Sequence, residues 1–229
     1  MGDLLPSNVV SVERWDDDPC ACLLPEEAVQ FDRAIESRTR ELATGRSCAR
    51  LALSRLGLPA APILSGPKRE PLWPPGVVGS ITHCTGYRAA AVAMQTGLLA
   101  LGIDAEIHEE LPAEVLERVC VEQEIAWLPK APEGIHWDRV FFSAKESVYK
   151  AWFPLTHRWL GFEDVAVTFG PNDGTFYACL LIDPPEIDGQ TLKGFTGRFL
   201  IGKGFVLTAT VVPGLTSLEG LSAAAPADE

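Results

Sequence analysis

The segment WDRVFFSAKESVYKAWF, residues 137–153, carries the strongest helical pattern in the chain. Its apolar side chains recur at helical spacing, which predicts a long helix with one buried face. These residues are Val140, Phe141, Ala144, Val148, Ala151 and Trp152. Pro154 follows directly and predicts the end of the helix. Glu146 and Lys150 are four positions apart, so they share the face opposite the apolar stripe.

Strand patterns lie on both sides of this helix. Upstream, residues 77–83 and 87–94 predict a hairpin that turns at 84–86, and residues 98–106 predict a third strand. The downstream strands are predicted at 162–169, at 176–182 and in a hairpin over 192–212. The tail after Pro213 is predicted to be frayed.

The first part of the chain is predicted to be mainly helical. Residues 1–24 read as an irregular arm, a helical stretch begins at Pro25, and a second helix covers about 45–56. Prolines make residues 59–76 an ordered loop, and residues 112–127 are predicted to be helical. The order is helices, hairpin and strand, then helices and hairpins, which predicts an α+β fold with this pattern run twice.

Composition excludes several classes of protein. The chain has 229 residues, 47% of them hydrophobic, and a net charge of 19 − 31 = −12. This apolar content excludes a disordered chain, and the negative charge argues against nonspecific binding to nucleic acid. No apolar run is long enough to span a membrane, and the N-terminus lacks the basic start of a secretory signal. The six cysteines fit no zinc pattern and read as reduced thiols, so a cytoplasmic protein is expected.

Charge is distributed unevenly along the chain. Basic residues dominate positions 31–70, whereas acidic residues dominate positions 101–138. This division suggests one segment that holds anions and another that holds a cation. The simpler alternative is that both segments form solvated helix faces.

Three short segments carry candidate chemistry. In Gly102–Glu106, written GIDAE, Asp104 and Glu106 are two apart on a predicted strand, so both carboxylates face one side, where a hard divalent cation would relieve their repulsion. On the long helix, Glu146 would be a third metal ligand or a general base, and Lys150 a cation near a phosphate. At the end of the hairpin strand, Thr82 and His83 would contact an anion. The ordinary alternatives are a polar strand edge, a surface ion pair and a partly buried histidine.

Taken together, the segments suit a magnesium-dependent transfer that involves a polyanion. The sequence resembles 4′-phosphopantetheinyl transferases of the Sfp/EntD type, and among them it is most similar to the actinobacterial members. The resemblance rests on residues 45–50, 79–84, 102–106 and 142–164 and extends over most of 25–212.

The resemblance implies an activity and a metal site. These enzymes move the phosphopantetheine arm of coenzyme A onto a serine of a carrier protein and release adenosine 3′,5′-bisphosphate. By resemblance, Asp104, Glu106 and Glu146 bind Mg²⁺, with Mn²⁺ as the alternative. Glu146 or a metal-bound water would take the serine proton, and Lys150 would steady the pyrophosphate or the leaving group.

The resemblance also implies a set of coenzyme A contacts. His83, Arg46 and Arg38 match residues that hold the 3′-phosphate, and Thr82 matches one that touches the phosphates. Lys68 is the expected contact from the basic loop, since Ser65 stands where a lysine is expected. Asp104, Lys145 and Lys150 complete the coenzyme A residues. Arg50 is expected to be either a surface residue or an intrachain partner.

The implied fold consists of two similar α/β halves, residues 1–98 and 99–229, related by a pseudo-twofold axis, with coenzyme A between them. A monomer is expected. The carriers are acyl or peptidyl carrier proteins of fatty acid, polyketide or nonribosomal peptide pathways, including siderophore and lipid biosynthesis. An apolar docking surface is expected in residues 108–130, which include Leu111, Leu116, Val119 and Val121.

Two other functions remain open at this point. A metal-dependent nuclease would share an acid pair and a Glu-x-x-x-Lys helix, but the chain lacks a basic, aromatic-lined stretch. A non-catalytic coenzyme A-binding protein would keep the fold, although a pure binder would need no acid triad.

Overall fold

A computed structural model describes residues 1–31 and 34–214. The predicted frayed tail therefore lies almost wholly outside the described residues. Five α-helices are present in the described residues: α1 (Pro25–Val29), α2 (Glu36–Arg55), α3 (Ala113–Val119), α4 (Glu122–Trp127) and α5 (Trp137–Thr156). The strands before the junction with the second sheet are β1 (Val10–Trp15), β2 (Leu64–Ser65), β3 (Pro71–Leu72), β4 (Val77–Cys84) and β5 (Tyr87–Met94). The later strands are β6 (Leu98–Ile107), β7 (Val165–Gly170), β8 (Thr175–Leu180), β9 (Glu186–Ile187), β10 (Gln190–Thr191), β11 (Gly194–Gly202) and β12 (Phe205–Pro213).

The first sheet has the antiparallel order β1-β5-β4, and helix α2 packs on it. The predicted hairpin is confirmed as β4 and β5. The prediction of an irregular N-terminal arm is wrong for Val10–Trp15, which pairs with β5 from Val10↔Val92 to Trp15↔Tyr87. The alternation of Val10 and Val12 with polar residues is the strand signal in this segment.

The predicted helix boundaries between residues 25 and 56 are also wrong. The chain forms the short helix α1 and then one long helix, α2, so Gly45 lies inside a helix and not at its start. The reason is packing. A Cβ atom on Gly45 would lie 3.1 Å from Ile81 Cγ2, so the glycine lets α2 approach β4 closely.

The second sheet has the order β6-β12-β11-β8-β7, and helix α5 buries its apolar face against it. Val140, Phe141, Val148 and Trp152 of α5 are each at most 1% exposed, as the sequence pattern predicted. The helix includes Pro154 and ends at Thr156, slightly beyond the predicted stop. The predicted helical stretch 112–127 consists of α3 and α4.

The two sheets meet where β4 lies against β6. Ser80 Oγ accepts a hydrogen bond from the Ile103 amide, and Thr82 Oγ1 accepts one from the Ala105 amide, both at 3.1 Å. On the other side of β6, a Cβ atom on Gly102 would lie 1.9 Å from the carbonyl oxygen of Ser147, so α5 touches this strand directly. The α+β prediction is confirmed. In the described part of the chain, no helix is long and apolar enough to cross a bilayer.

Candidate active site

Side chains from three of the predicted segments meet at the junction of the sheets. Lys150 Nζ lies 2.7 Å from Asp104 Oδ1 and donates to the Ile103 carbonyl at 3.1 Å. Thr82 Oγ1 lies 3.3 Å from Asp104 Oδ1 and 3.4 Å from Lys150 Nζ. Strands β4 and β6 and helix α5 therefore each supply one polar group to a single cluster.

Asp104 is the most enclosed member of this cluster, with 4% of its surface exposed. Its second oxygen, Oδ2, accepts a hydrogen bond from Ser143 Oγ at 2.8 Å. Ser143 lies one helical turn before Glu146, and the sequence analysis did not select it. Its spacing on the same helix is the signal that would have identified it.

Glu106 is held by a cation that the sequence analysis also missed. Arg139 Nη1 lies 3.1 Å from Glu106 Oε2, and Arg139 also donates to the carbonyls of Glu109 and Glu110. Burial first and the nearby charge of Asp104 second raise the pKa of Glu106 to about 7, against the opposing effects of Arg139 and Lys150. Glu106 is therefore poised to exchange a proton near neutral pH.

Glu146 faces a pocket of about 190 Å³ that Lys150, Lys68 and Tyr149 also line. Its pKa is raised, first by burial and second by the charge of Asp104, while Lys150 opposes the shift. In residues 1–31 and 34–214, no side chain or backbone amide donates a hydrogen bond to the Glu146 carboxylate. Among the described residues, its oxygens therefore remain available as hydrogen-bond acceptors.

The three acids were predicted to hold one metal ion. As the side chains stand in the described residues, no three His, Cys, Asp or Glu groups are placed to hold one together. Lys150 and Arg139 hold Asp104 and Glu106 instead. The donor chemistry nevertheless fits a hard divalent cation, because Asp104 raises the pKa of both Glu106 and Glu146. A cation would relieve the repulsion that these shifts report.

A basic cleft of about 670 Å³ lies beside β4 and α2, lined by Arg38, Arg46, Arg69 and His83 among others. Arg46 is fixed by its own contacts: Nε donates to the Ile63 carbonyl at 2.9 Å and Nη2 to Ser65 Oγ at 2.8 Å. Ser65, at the position where a lysine was expected, thus orients an arginine.

His83 is neutral at physiological pH and accepts a hydrogen bond from Arg38. Arg38 Nη1 lies 2.7 Å from His83 Nε2. Burial and the charge of Arg38 lower the pKa of His83 to about 4. The same Nη1 lies 3.4 Å from Nδ1, so Nε2 is the nearer ring nitrogen. Because a guanidinium can only donate, we assign Nε2 as the acceptor, which places the ring proton on Nδ1.

The basic cleft and the Glu146 pocket are neighbours. Arg69, Pro71 and Ile81 line both of them, so the cleft at Arg38 adjoins the pocket at Glu146, and the two together are called the groove. Lys68 lines the Glu146 end of this groove. The residues that line this groove include Arg38, Arg46, Lys68, His83, Glu146 and Lys150. The buried Thr82 and Asp104 lie behind it in contact with Lys150, and Glu106 interacts electrostatically with Asp104 and Lys150.

Lys145 is the predicted site residue that the structure places elsewhere. Its Nζ donates to Glu124 Oε2 at 2.7 Å and to the carbonyls of Val119 and Phe162, and the residue is 3% exposed. Adjacent helical residues point about 100° apart. Lys145 therefore leaves α5 in a different direction from Glu146, on the side that faces α4.

Two further expectations are resolved by packing. Arg50 is an intrachain partner, because its Nη1 lies 2.8 Å from Glu27 Oε2. The docking surface expected in residues 108–130 is wrong for Leu111 and Val119. These side chains are 6% and 1% exposed and belong to the interior of the protein.

Two family models match the sequence. Residues 25–93 match the 4′-phosphopantetheinyl transferase N-terminal domain, and residues 100–197 match the 4′-phosphopantetheinyl transferase superfamily. The chain belongs to the 4′-phosphopantetheinyl transferases and is an enzyme of that class. The resemblance deduced from the motifs is confirmed.

Individual relatives agree with this assignment over almost the whole chain. The sequence is 45% identical to 4′-phosphopantetheinyl transferase PptT of Mycobacterium tuberculosis, across 93% of this chain and 97% of the relative. It is 47% identical to 4′-phosphopantetheinyl transferase Svp of Streptomyces mobaraensis, across 99% and 96%. Enterobactin synthase component D of Salmonella typhi is 36% identical across 52% of this chain and 50% of that relative.

Proposed function

We propose that this enzyme transfers the phosphopantetheine arm of coenzyme A to a serine of an acyl or peptidyl carrier protein. The reaction depends on Mg²⁺, with Mn²⁺ as the alternative, and releases adenosine 3′,5′-bisphosphate. One observation carries the proposal: Glu146, with no hydrogen bond from the described residues, stands beside Lys150 at the end of a groove that begins at Arg38 and Arg46.

The basic end of the groove is assigned to the nucleotide. Arg38, Arg46 and His83 surround a cleft large enough for a nucleotide-sized ligand and supply donors for its 3′-phosphate. Arg46 is already fixed by Ile63 and Ser65, so little side-chain freedom is lost on binding. Lys68, further along the groove, lies near the pyrophosphate end in this assignment.

The junction of the sheets is assigned to the pyrophosphate. Lys150 lines the same pocket as Glu146, and the hydroxyl of Thr82 lies 3.4 Å from Lys150 Nζ; both would bind oxygens of the pyrophosphate. Asp104, Glu106 and Glu146 would hold Mg²⁺, which when bound neutralises charge that develops on the pyrophosphate. Lys145 is assigned a role in the interior instead, because Glu124 encloses its ammonium group.

Glu146 is assigned as the general base. The carrier serine hydroxyl would give its proton to the Glu146 carboxylate while the serine oxygen attacks the β-phosphorus of coenzyme A. The bond from that phosphorus to the bridging oxygen breaks, and adenosine 3′,5′-bisphosphate leaves with the bond electrons. A raised pKa makes Glu146 a better base than an ordinary glutamate.

The arrangement of the chain supports the rest of the proposal. Residues up to Met94 form the first sheet and residues from Leu98 form the second, each with a long helix packed on it. We assign the halves as 1–98 and 99–229, related by a pseudo-twofold axis, in a cytoplasmic monomer. Fatty acid, polyketide and nonribosomal peptide carriers are the candidate partners.

The decisive experiment is the intact mass of an apo carrier domain after incubation with enzyme, coenzyme A and Mg²⁺. A gain of one phosphopantetheine is expected, and it should be lost with a chelator or with Glu146→Gln. Lys130→Met is a matched control, because Lys130 is exposed and outside the groove. Tight binding of coenzyme A without any mass gain on acyl, polyketide and peptidyl carriers would instead favour the non-catalytic binder.

A further inference from the structure

Glu41 is an acidic residue in the most basic part of the molecule. It lies on α2, one turn after Arg38, and its Oε2 accepts a hydrogen bond from Arg38 Nη1 at 3.0 Å. The same oxygen lies 3.7 Å from His83 Nδ1. Glu41 therefore contacts both an arginine and a histidine that line the basic cleft.

These contacts restrict how Arg38 points. Its Nη1 group serves both Glu41 and His83 Nε2, at 3.0 and 2.7 Å. The guanidinium has further N–H donors on Nε and Nη2, in a fixed planar fork. Within residues 1–31 and 34–214 only Nη1 has hydrogen-bond partners, so the donors on Nε and Nη2 are left for a ligand in the cleft.

Glu41 is itself anchored by Arg88. Arg88 is 3% exposed, donates to Asp17, and places Nη2 3.6 Å from Glu41 Oε1. Its Nη1 also donates to the carbonyls of Cys84 and Tyr87, at the β4–β5 turn. The chain from Arg88 through Glu41 to Arg38 therefore links the buried turn to the surface of the cleft.

We propose that Glu41 is a positioning residue that fixes Arg38 and His83 for recognition of the 3′-phosphate of coenzyme A. It acts through these two side chains and does not touch the ligand. The inference rests on the proposed function, which places the 3′-phosphate in this cleft. Its consequence is specificity, because only a ligand with that phosphate gains from a correctly oriented Arg38.

A second effect of Glu41 has the opposite sign. Its negative charge lies near an anion site, so simple electrostatics predicts that neutralising it would tighten binding of every anionic ligand. The positioning role predicts that neutralising Glu41 weakens binding of coenzyme A but not of a ligand that lacks the 3′-phosphate. The direction of the change therefore separates the two roles.

The test compares coenzyme A with dephospho-coenzyme A, which lacks the 3′-phosphate, by calorimetric binding and by KM and kcat in carrier modification. For Glu41→Gln, the Kd and KM for coenzyme A should rise about tenfold, the effect of losing one charge-assisted hydrogen bond. Values for dephospho-coenzyme A and kcat should change less than about twofold. The control is Glu36→Gln, since Glu36 also lies on α2 but, among the described residues, forms its ion pair with the exposed Arg40.

Two more variants keep the test informative if Glu41→Gln folds poorly. Glu41→Asp retains the negative charge but shortens the side chain by one methylene, which draws the carboxylate back from Arg38, so it should also weaken coenzyme A binding selectively. In an Arg38→Ala background, Glu41→Gln should cause no further loss. Equal changes for both ligands, tighter coenzyme A binding, or additive losses in the double variant would overturn the positioning role. A wild-type enzyme that neither binds coenzyme A nor modifies a carrier would instead overturn the proposed function.

Discussion

Lys150 Nζ lies 2.7 Å from Asp104 Oδ1, so a helix cation holds the strand carboxylate that is proposed to bind metal. Arg139, also on α5, donates a hydrogen bond from Nη1 to Glu106 Oε2 at 3.1 Å. Two of the three carboxylates are thus paired with cations of the protein itself. An incoming ion must compete with both side chains for carboxylate oxygens.

Removal of Lys150 should separate metal affinity from catalysis. In Lys150→Met, binding of Mn²⁺ without coenzyme A should tighten at least about tenfold, because a competing positive charge is lost. Transfer to a carrier should fall about a hundredfold or more, because the pyrophosphate loses a cation. Calorimetry with Mn²⁺ and the mass assay measure the two effects. Unchanged or weaker Mn²⁺ binding would show that Lys150 does not compete with the ion.

Metal affinity should depend on pH near neutrality. The folded-state pKa of Glu106 is raised to about 7, so in the metal-free protein this carboxyl takes up a proton as the pH falls through that value. Metal binding must displace this proton, so affinity should decline by up to about tenfold per pH unit below 7. Mn²⁺ titrations between pH 6 and 8 test this, and Glu106→Gln should flatten the profile. A steep profile in that variant would assign the proton to another group.

The raised pKa of Glu106 should lower metal affinity as the pH falls, but it should raise the stability of the metal-free protein. Because the folded state raises the pKa of Glu106 from its ordinary 4.5, folding favours the protonated form. The metal-free protein should therefore gain stability from this group as the pH falls from about 7 towards 4.5, provided that other groups are held constant by comparison with Glu106→Gln.

Gly102 should be intolerant of any side chain. In Gly102→Ala the new Cβ would lie 1.9 Å from the Ser147 carbonyl, so α5 must move away from β6, at a cost of about 3 kcal/mol or more. The displacement would also separate Asp104 from Ser143 and Glu146. Urea unfolding and the mass assay measure both consequences.

Gly202→Ala is the matched control for this change. Gly202 is also in a strand, and the nearest atom to its added Cβ is Leu200 Cδ2 at 4.0 Å. It should alter the free energy of unfolding by less than about 1 kcal/mol. Similar losses in both variants would mean that general strand propensity, rather than the contact with α5, explains Gly102.

Lys145 should matter for stability and not for coenzyme A binding. Lys145→Met leaves Glu124, which is 1% exposed, without its cation, and loss of one partner of a buried pair costs about 3–5 kcal/mol. Calorimetric affinity for coenzyme A should stay within about twofold at a temperature where the variant is folded. Lys130→Met should change neither quantity. A selective loss of coenzyme A affinity would restore Lys145 to the binding site.

The sequence predicted those helices and strands whose apolar periodicity is complete within a short stretch of the chain. Helix α5, the β4–β5 hairpin and strand β6 were predicted because their periodicities are visible within short windows. Strand β1 was missed because its partner, β5, lies more than 70 residues away, and an edge strand of six residues has a weak signal. The helix was predicted to start at about Gly45 because glycine is common at helix ends. In the structure this glycine lies inside α2, where it allows close packing on β4.

The candidate site was predicted to a similar extent. Thr82, Asp104 and Lys150, from three separate segments, lie within hydrogen-bond distance of one another, whereas Lys145, which the resemblance implied as a coenzyme A contact, points into the interior. Phe141, Val148 and Trp152 share its general side of α5, and all three are buried. Arg139 and Glu41 could not be predicted because their roles depend on contacts between elements that only the folded chain brings together.

The contact between β4 and β6 has a consequence for how this protein can change over generations. Two side-chain hydroxyls, Ser80 and Thr82, bind the backbone amides of β6 and so align one sheet with the other. Backbone pairing between strands is kept through most amino-acid substitutions, because it does not depend on the side chain. A hydroxyl contact is lost with a single substitution of the serine or threonine. A single substitution at Ser80 or Thr82 can therefore change how β4 lies against β6, and with it the position of Thr82 beside Asp104, while the backbone pairing within each sheet is kept.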